Sequence, residues 1–205
     1  MIFMKVLVAF DLEGTLINEE FLVELARAVD KEKEVYAITH QGIEGKIDFL
    51  DSLTRRIEIL KGMDQSLIEK LSEKYTIAPG VKEIFTSLQG NGFETAIITG
   101  GFKIMAEKVC RELNVTHLLC NEFIFKDGKL AGLKPHVRGN KGILIKELIK
   151  KVGADYTLAL SDGITDLDML DIADCGMLIK DHAFKGFEMV LNGLSSGLPE
   201  KGTRL

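Results

Sequence analysis

The stretch that decides the fold is Val6-Leu7-Val8-Ala9-Phe10-Asp11-Leu12-Glu13-Gly14-Thr15-Leu16. Its first five residues form an unbroken apolar run, too short for a helix core and without the alternation of a half-exposed strand. Such a run suits a strand buried on both faces of a parallel sheet. It then breaks into two carboxylates at i and i+2, a glycine and a hydroxyl. A carboxylate held where a buried strand ends can attack phosphorus and form an acyl phosphate, and a second acid nearby can move protons. Asp11 is therefore the candidate nucleophile and Glu13 the candidate acid/base.

Two further apolar runs end in chemistry. Thr95-Ala96-Ile97-Ile98-Thr99 leads into Gly100-Gly101, and Tyr156-Thr157-Leu158-Ala159-Leu160 leads into Ser161-Asp162-Gly163-Ile164-Thr165-Asp166. A weaker fourth strand is expected at Gly176–Ile179. Helical patterns lie between them, at Val81–Leu88 with Gly90-Asn91-Gly92 as its stop, Lys103–Leu113, Lys141–Val152 and Asp166–Ala173. Phe123-Ile124-Phe125, Asp127-Gly128 and Lys129-Leu130 read as a hairpin. Strands alternating with helices give a parallel sheet covered on both faces, with ligands beyond the carboxyl ends of the strands. Asp11, Thr99 and Asp162 then converge on one crevice.

Between the first two strands the pattern is helical from Glu19 to about Tyr75. Phe21, Leu22, Leu25 and Val29 recur at helical spacing, as do Phe49, Leu50, Leu53, Ile57 and Leu60. With no core strand, this segment is expected to pack as a small helical unit before Pro79-Gly80 returns the chain to the sheet.

The crevice residues suggest phosphoryl chemistry. Mg²⁺ takes hard oxygen ligands, commonly one or two protein carboxylates with waters and substrate phosphate. Asp11 and Asp162 would supply these, with Asp166 acting through water or by orienting a ligand. The backbone N–H groups after Thr99 could hold phosphate oxygens, and Lys141 could neutralise the transferred group.

Bulk properties bound the alternatives. The 205 residues are 46% hydrophobic and 28% charged, with a formal net charge of −5. That charge disfavours nucleic acid as a partner. Met1–Phe10 is too short for a membrane span. Cys110, Cys120 and Cys175 are odd in number and unpaired in spacing, as expected of small buried residues in a reducing, cytoplasmic compartment. His40, His117, His136 and His182 lack ligand spacing and are expected at the surface or in loops. The Gly- and Ser-rich last dozen residues are expected to be loosely ordered.

These motifs, in this order, resemble the haloacid dehalogenase superfamily, and in detail its phosphoserine phosphatases. The resemblance implies a Rossmann-like core, residues 1–16 and 77–205, with a helical cap, residues 17–76, and a Mg²⁺-dependent phosphatase acting on a small phosphomonoester as a monomer or homodimer. It further implies that Glu13 lends its backbone carbonyl to the metal and that Asp162 is the other direct ligand. Thr99, Gly100 and Lys141 would contact phosphate, Glu20 the ammonium and Arg56 the carboxylate of O-phosphoserine, with Ile43 and Phe49 as pocket walls. Two positions depart from the family pattern. Glu13 stands where an aspartate is usual, as in phosphoserine:homoserine phosphotransferases, and Thr165 replaces an amide that would contact the active site. Three readings follow: hydrolysis of O-phosphoserine or another small metabolite, phosphoryl transfer to an alcohol such as homoserine, and a non-catalytic binding protein.

Overall fold

The computed structural model describes residues 4–180, 184, 187 and 203–204. Strand β1 (Val6–Phe10) is buried along its whole length. Its side chains alternate between two apolar clusters: Val6, Val8 and Phe10 join one, Leu7 and Ala9 the other. Strands β2 (Glu94–Phe102) and β5 (Tyr156–Ser161) flank it, both parallel. With β3 (His117–Lys126), β4 (Lys129–Lys134), β6 (Cys175–Leu178) and β7 (Thr203–Arg204), the order is β4-β3-β2-β1-β5-β6-β7. Every pairing is parallel except β3 with β4. The chain steps from β1 outward through β2, β3 and β4 and then crosses to β5 on the other side of β1, so the crevice opens where β1 ends at Phe10 and β5 at Ser161.

Helices α5 (Val81–Gly90) and α6 (Lys103–Leu113) cover the first cluster through Val81, Ile84, Phe85, Met105 and Val109. On the opposite face α7 (Lys141–Val152) and α8 (Leu167–Ile172) contribute Leu144, Ile145, Leu148 and Met169. Gly176 lets α8 press onto β6: a Cβ there would lie 2.3 Å from the Leu170 carbonyl oxygen. Gly176→Ala should cost about 1–3 kcal/mol through this overlap, read as a lower thermal midpoint with activity retained below it.

Four helices lie between β1 and β2: α1 (Phe21–Arg27), α2 (Glu32–Ile43), α3 (Phe49–Leu60) and α4 (Gln65–Leu71). Asp48 caps α3 by accepting from the Asp51 N–H at 2.8 Å. Leu53, Ile57 and Leu60 form its buried stripe and join the sheet's first apolar cluster. The two ends of this insertion are paired to each other, by an Ile17–Ile77 bridge and by the Ala78 N–H donating to the Leu16 carbonyl at 2.9 Å. Its α3–α4 loop is tied to the β3–β4 hairpin. Gly62 N–H donates to Leu130 O, Leu130 N–H to Met63 O and Gln65 N–H to Gly128 O, at 2.8–2.9 Å. Asp64 and Lys129 add an ion pair at 2.7 Å.

Several sequence expectations need correction. Strand β2 does not stop at Thr99 but runs through Gly100-Gly101 to Phe102, with a register shift against β3 between Ile98 and Phe102. The hairpin strands are longer than expected, because the first part of β3 pairs with β2 and only its second part with β4. The turn is as read: Asp127 and Gly128 both have positive φ, +50° and +72°, as the hairpin's twist requires. His117 is a half-buried strand residue, 2.6 Å from Glu94. Of the last dozen residues, Thr203 and Arg204 pair with β6. The rest, like His182, lie outside the described residues. No described helix is long and apolar enough to cross a membrane.

Candidate active site

The turns after β1 and β5 interlock. Asp11 N–H donates to the Leu160 carbonyl at 3.0 Å, the Thr15 hydroxyl donates to Asp162 Oδ1 at 2.8 Å, and Asp162 N–H donates back to Thr15 Oγ1 at 3.1 Å. Asp162 folds over Gly14, whose φ is +78°; a Cβ there would meet Asp162 Oδ2 at 2.4 Å. Only glycine meets both demands. Asp11 and Asp162 thus stand on adjacent strand ends, Asp11 buried and Asp162 exposed.

Lys141 opens α7 and is only 6% exposed. Its Nζ lies 2.6 Å from Asp11 Oδ1 and 2.7 Å from Asp166 Oδ2, and the latter oxygen also accepts from the Ser161 hydroxyl at 2.6 Å. Helix α7 is seated by Asp168, whose Oδ2 accepts from Gly142 N–H at 2.7 Å. Burial opposes the Lys141 ammonium, but Asp11 and Asp166 outweigh it and hold its pKa above the ordinary lysine value. Burial raises the Asp11 carboxyl, against the pull of Lys141 and with help from Asp166.

Glu13 reaches across to α1, where one carboxylate oxygen accepts from Phe21 N–H at 3.1 Å. The same oxygen would lie 3.3 Å from a Cβ placed on Gly101. Burial first, then the charge of Glu20, pushes Glu13 up to about 8. Thr99, almost fully buried, accepts from Gly101 N–H at 2.9 Å.

The helical insertion supplies the roof. Phe49 lies over two glycines: a Cβ on Gly100 would sit 2.5 Å from the ring's tip, and one on Gly139 would sit 3.0 Å from the Phe49 Cβ. Arg56 is half-buried on α3, its Nε donating to Ser52 O at 3.3 Å, and its charge acts on Glu13 and Glu20 alike. Glu20 in turn lies within electrostatic reach of Asp162.

The structure therefore gathers Asp11, Glu13, Glu20, Phe49, Arg56, Thr99, Gly100, Lys141, Asp162 and Asp166 around one crevice. Two expected residues fit less well. Ile43 ends α2 at 52% exposure, outside the apolar cluster that Phe49 joins. Thr165 is exposed on the 3-10 turn Ile164–Asp166, beside Gly163. Two residues were not anticipated. Thr15 is a buried hydroxyl inside the first motif, and Asn121 is a buried amide on β3; Thr15 follows Glu13-Gly14 and Asn121 precedes Glu122, so neither stands out from its neighbours in the sequence.

A strand end bearing a buried carboxylate, a buried lysine shared by two carboxylates and a helical insertion over the crevice are consistent with a hydrolase class. The chain belongs to the haloacid dehalogenase-like hydrolases, whose family model matches residues 8–171. It is 34% identical over 192 residues to the phosphoserine phosphatase of Methanocaldococcus jannaschii, covering 87% of this chain and 90% of that one. It is 32% identical over 178 residues to phosphoserine phosphatase SerB2 of Mycobacterium tuberculosis, covering 84% of this chain but only 44% of that longer protein. A solved phospho-aspartyl intermediate analogue of phosphoserine phosphatase superposes with a TM-score of 0.81 at 33% identity, over 85% of this chain and 86% of the other.

Proposed function

We propose that the protein hydrolyses O-phosphoserine through an aspartyl-phosphate on Asp11, with Mg²⁺ as cofactor, in the cytoplasm. The observation that carries this reading is the Asp11–Lys141–Asp166 arrangement at the end of β1, beneath an acidic crevice roofed by Phe49.

The donor set fits Mg²⁺. Among the described residues of the crevice, Asp11, Glu20, Asp162 and Asp166 stand against Lys141 and Arg56, a surplus of carboxylates that a hard divalent cation offsets. Mg²⁺ takes few protein ligands and completes its shell with water and phosphate, which suits carboxylates carried on two adjacent strand ends. Asp11, Asp162 and the Glu13 carbonyl would hold it. When bound, it supplies positive charge to the phosphoryl oxygens.

An Asp11 oxygen attacks phosphorus as the bond to the serine oxygen breaks. Glu13, neutral near physiological pH because it is buried, gives its proton to that departing oxygen. Glu13 then takes a proton from water as the water attacks the aspartyl-phosphate, which regenerates Asp11 and releases phosphate. Lys141 holds Asp11 in position and meets the charge on the transferred group. Glu20 and Arg56 hold the ammonium and carboxylate of the substrate, and residues 17–76 act as the cap that excludes water.

The test is phosphate release from a panel of small phosphomonoesters. O-phosphoserine should be the preferred substrate, with activity lost to EDTA and restored by Mg²⁺; inertness toward it would overturn the reading. Arg56→Ala should raise KM for O-phosphoserine by about 10- to 100-fold, the loss of a charge-assisted pair. Hydrolysis of p-nitrophenyl phosphate, which has no amino-acid portion, should change only a few-fold.

A further inference from the structure

The geometry points to Asn121 as a positioning residue that sets both arms of the phosphate seat with one side chain, an inference that rests on the proposed phosphatase reading. Asn121 is fully buried on β3, opposite Phe102, at the place where the β2 register shifts. Its Nδ2 donates to the Gly100 carbonyl at 2.9 Å. Its Oδ1 accepts from the N–H groups of His136 and Val137 at 2.7 and 2.8 Å. Two main-chain donors on one side and an acceptor on the other leave a single orientation for the amide.

The first arm is the Gly100–Gly101 peptide. There are no cis peptide bonds among the described residues, so its carbonyl and N–H point in opposite directions. Drawing the Gly100 carbonyl back onto Asn121 turns the Gly101 N–H the other way, toward Thr99 Oγ1 and the side from which Glu13 approaches. The Thr99 hydroxyl accepts from Gly101 and keeps its own hydrogen to donate to an anion. A glycine-rich bulge has little intrinsic preference for this peptide orientation; the Asn121 amide supplies it.

The second arm is the segment from His136 to Lys141. The two N–H groups held by Asn121 start a short link in which Arg138 N–H donates to Asn140 Oδ1, Gly139 lies under Phe49, and Lys141 follows. Asn121 thus fixes the distance between the Thr99 hydroxyl and the Lys141 ammonium, although it meets neither substrate nor metal.

Asn121→Asp tests this. It keeps the acceptor for His136 and Val137 and replaces the donor facing Gly100 with an oxygen. In Mg²⁺ buffer, the inhibition constant of inorganic phosphate should rise about tenfold, as for one lost hydrogen bond to a charged ligand, while that of L-serine stays within twofold. A residue that served stability alone would lower the thermal midpoint and leave both constants unchanged, and that result would overturn the proposal. Should the variant not fold, the wild type carries the test by NMR. Titration with phosphate should shift the Gly101 amide and the Asn121 side-chain NH₂ resonances along the same binding curve. Movement of Gly101 alone overturns the role of Asn121. Failure of the wild type to bind phosphate removes the seat itself, and with it the phosphatase reading.

Discussion

Asp11→Asn should lower turnover of O-phosphoserine by on the order of 10⁴-fold or more, the scale on which enzymes lose activity with their nucleophile. The substitution keeps the shape of the side chain and removes the charged oxygen proposed to bond to phosphorus. Its structural cost is small, because Lys141 retains Asp166 as a partner at 2.7 Å and the Asp11 N–H still donates to Leu160. The thermal midpoint should therefore stay within a few degrees of the wild type. Rapid-quench experiments with ³²P-labelled substrate should trap label on the wild-type protein and none on the variant. Turnover comparable to the wild type would reject Asp11 as the attacking group.

Lys141→Met should damage both fold and chemistry. The methionine fills a similar volume but leaves the Asp11 and Asp166 carboxylates buried without their shared cation. Removing one partner from a buried ionic cluster costs about 3–5 kcal/mol, which for a chain of this size lowers the midpoint by roughly 6–20 °C. Activity should fall by about 10³-fold below the new midpoint, since the group proposed to face the transferred phosphoryl is gone. A second substitution separates the two effects. Lys141→Met with Asp166→Asn should regain part of the lost stability, because one uncompensated charge is removed, and regain no activity. A midpoint for Lys141→Met within 2 °C of the wild type would mean that the 2.6 Å and 2.7 Å contacts do not hold this corner of the fold.

Much of this arrangement was legible because each chemical group follows a segment with a strong local signal. Strands β1 and β5 are apolar runs without alternation, since each is buried on both faces, and their ends locate Asp11 and Asp162 without any knowledge of the fold. Helix α7 carries a clear repeat, so Lys141 is found at its first turn. The missed features depend on partners distant in sequence. Gly100-Gly101 reads as a strand terminator, yet β3 lies alongside and carries the pairing to Phe102. The first part of β3 is only half-buried and changes partner midway, so it presents neither a continuous run nor an alternation. Asn121 looks like an interruption of that strand until residues 100, 136 and 137 surround its amide. Ile43 rests on the resemblance alone, and at the exposed end of α2 there is little packing to define its place.

The ties between the α3–α4 loop and the β3–β4 hairpin bear on how such chains could be recombined. Exchange of residues 17–76 for the corresponding segment of another hydrolase would strand the Gly128 and Leu130 main-chain groups and uncover the Leu130 side chain, now almost wholly enclosed. A chimaera that moved both pieces together would preserve those three backbone bonds and the Asp64–Lys129 pair. The smallest transplantable module is thus discontinuous along the chain, spanning two segments separated by residues 77–116, a stretch of sheet and helix.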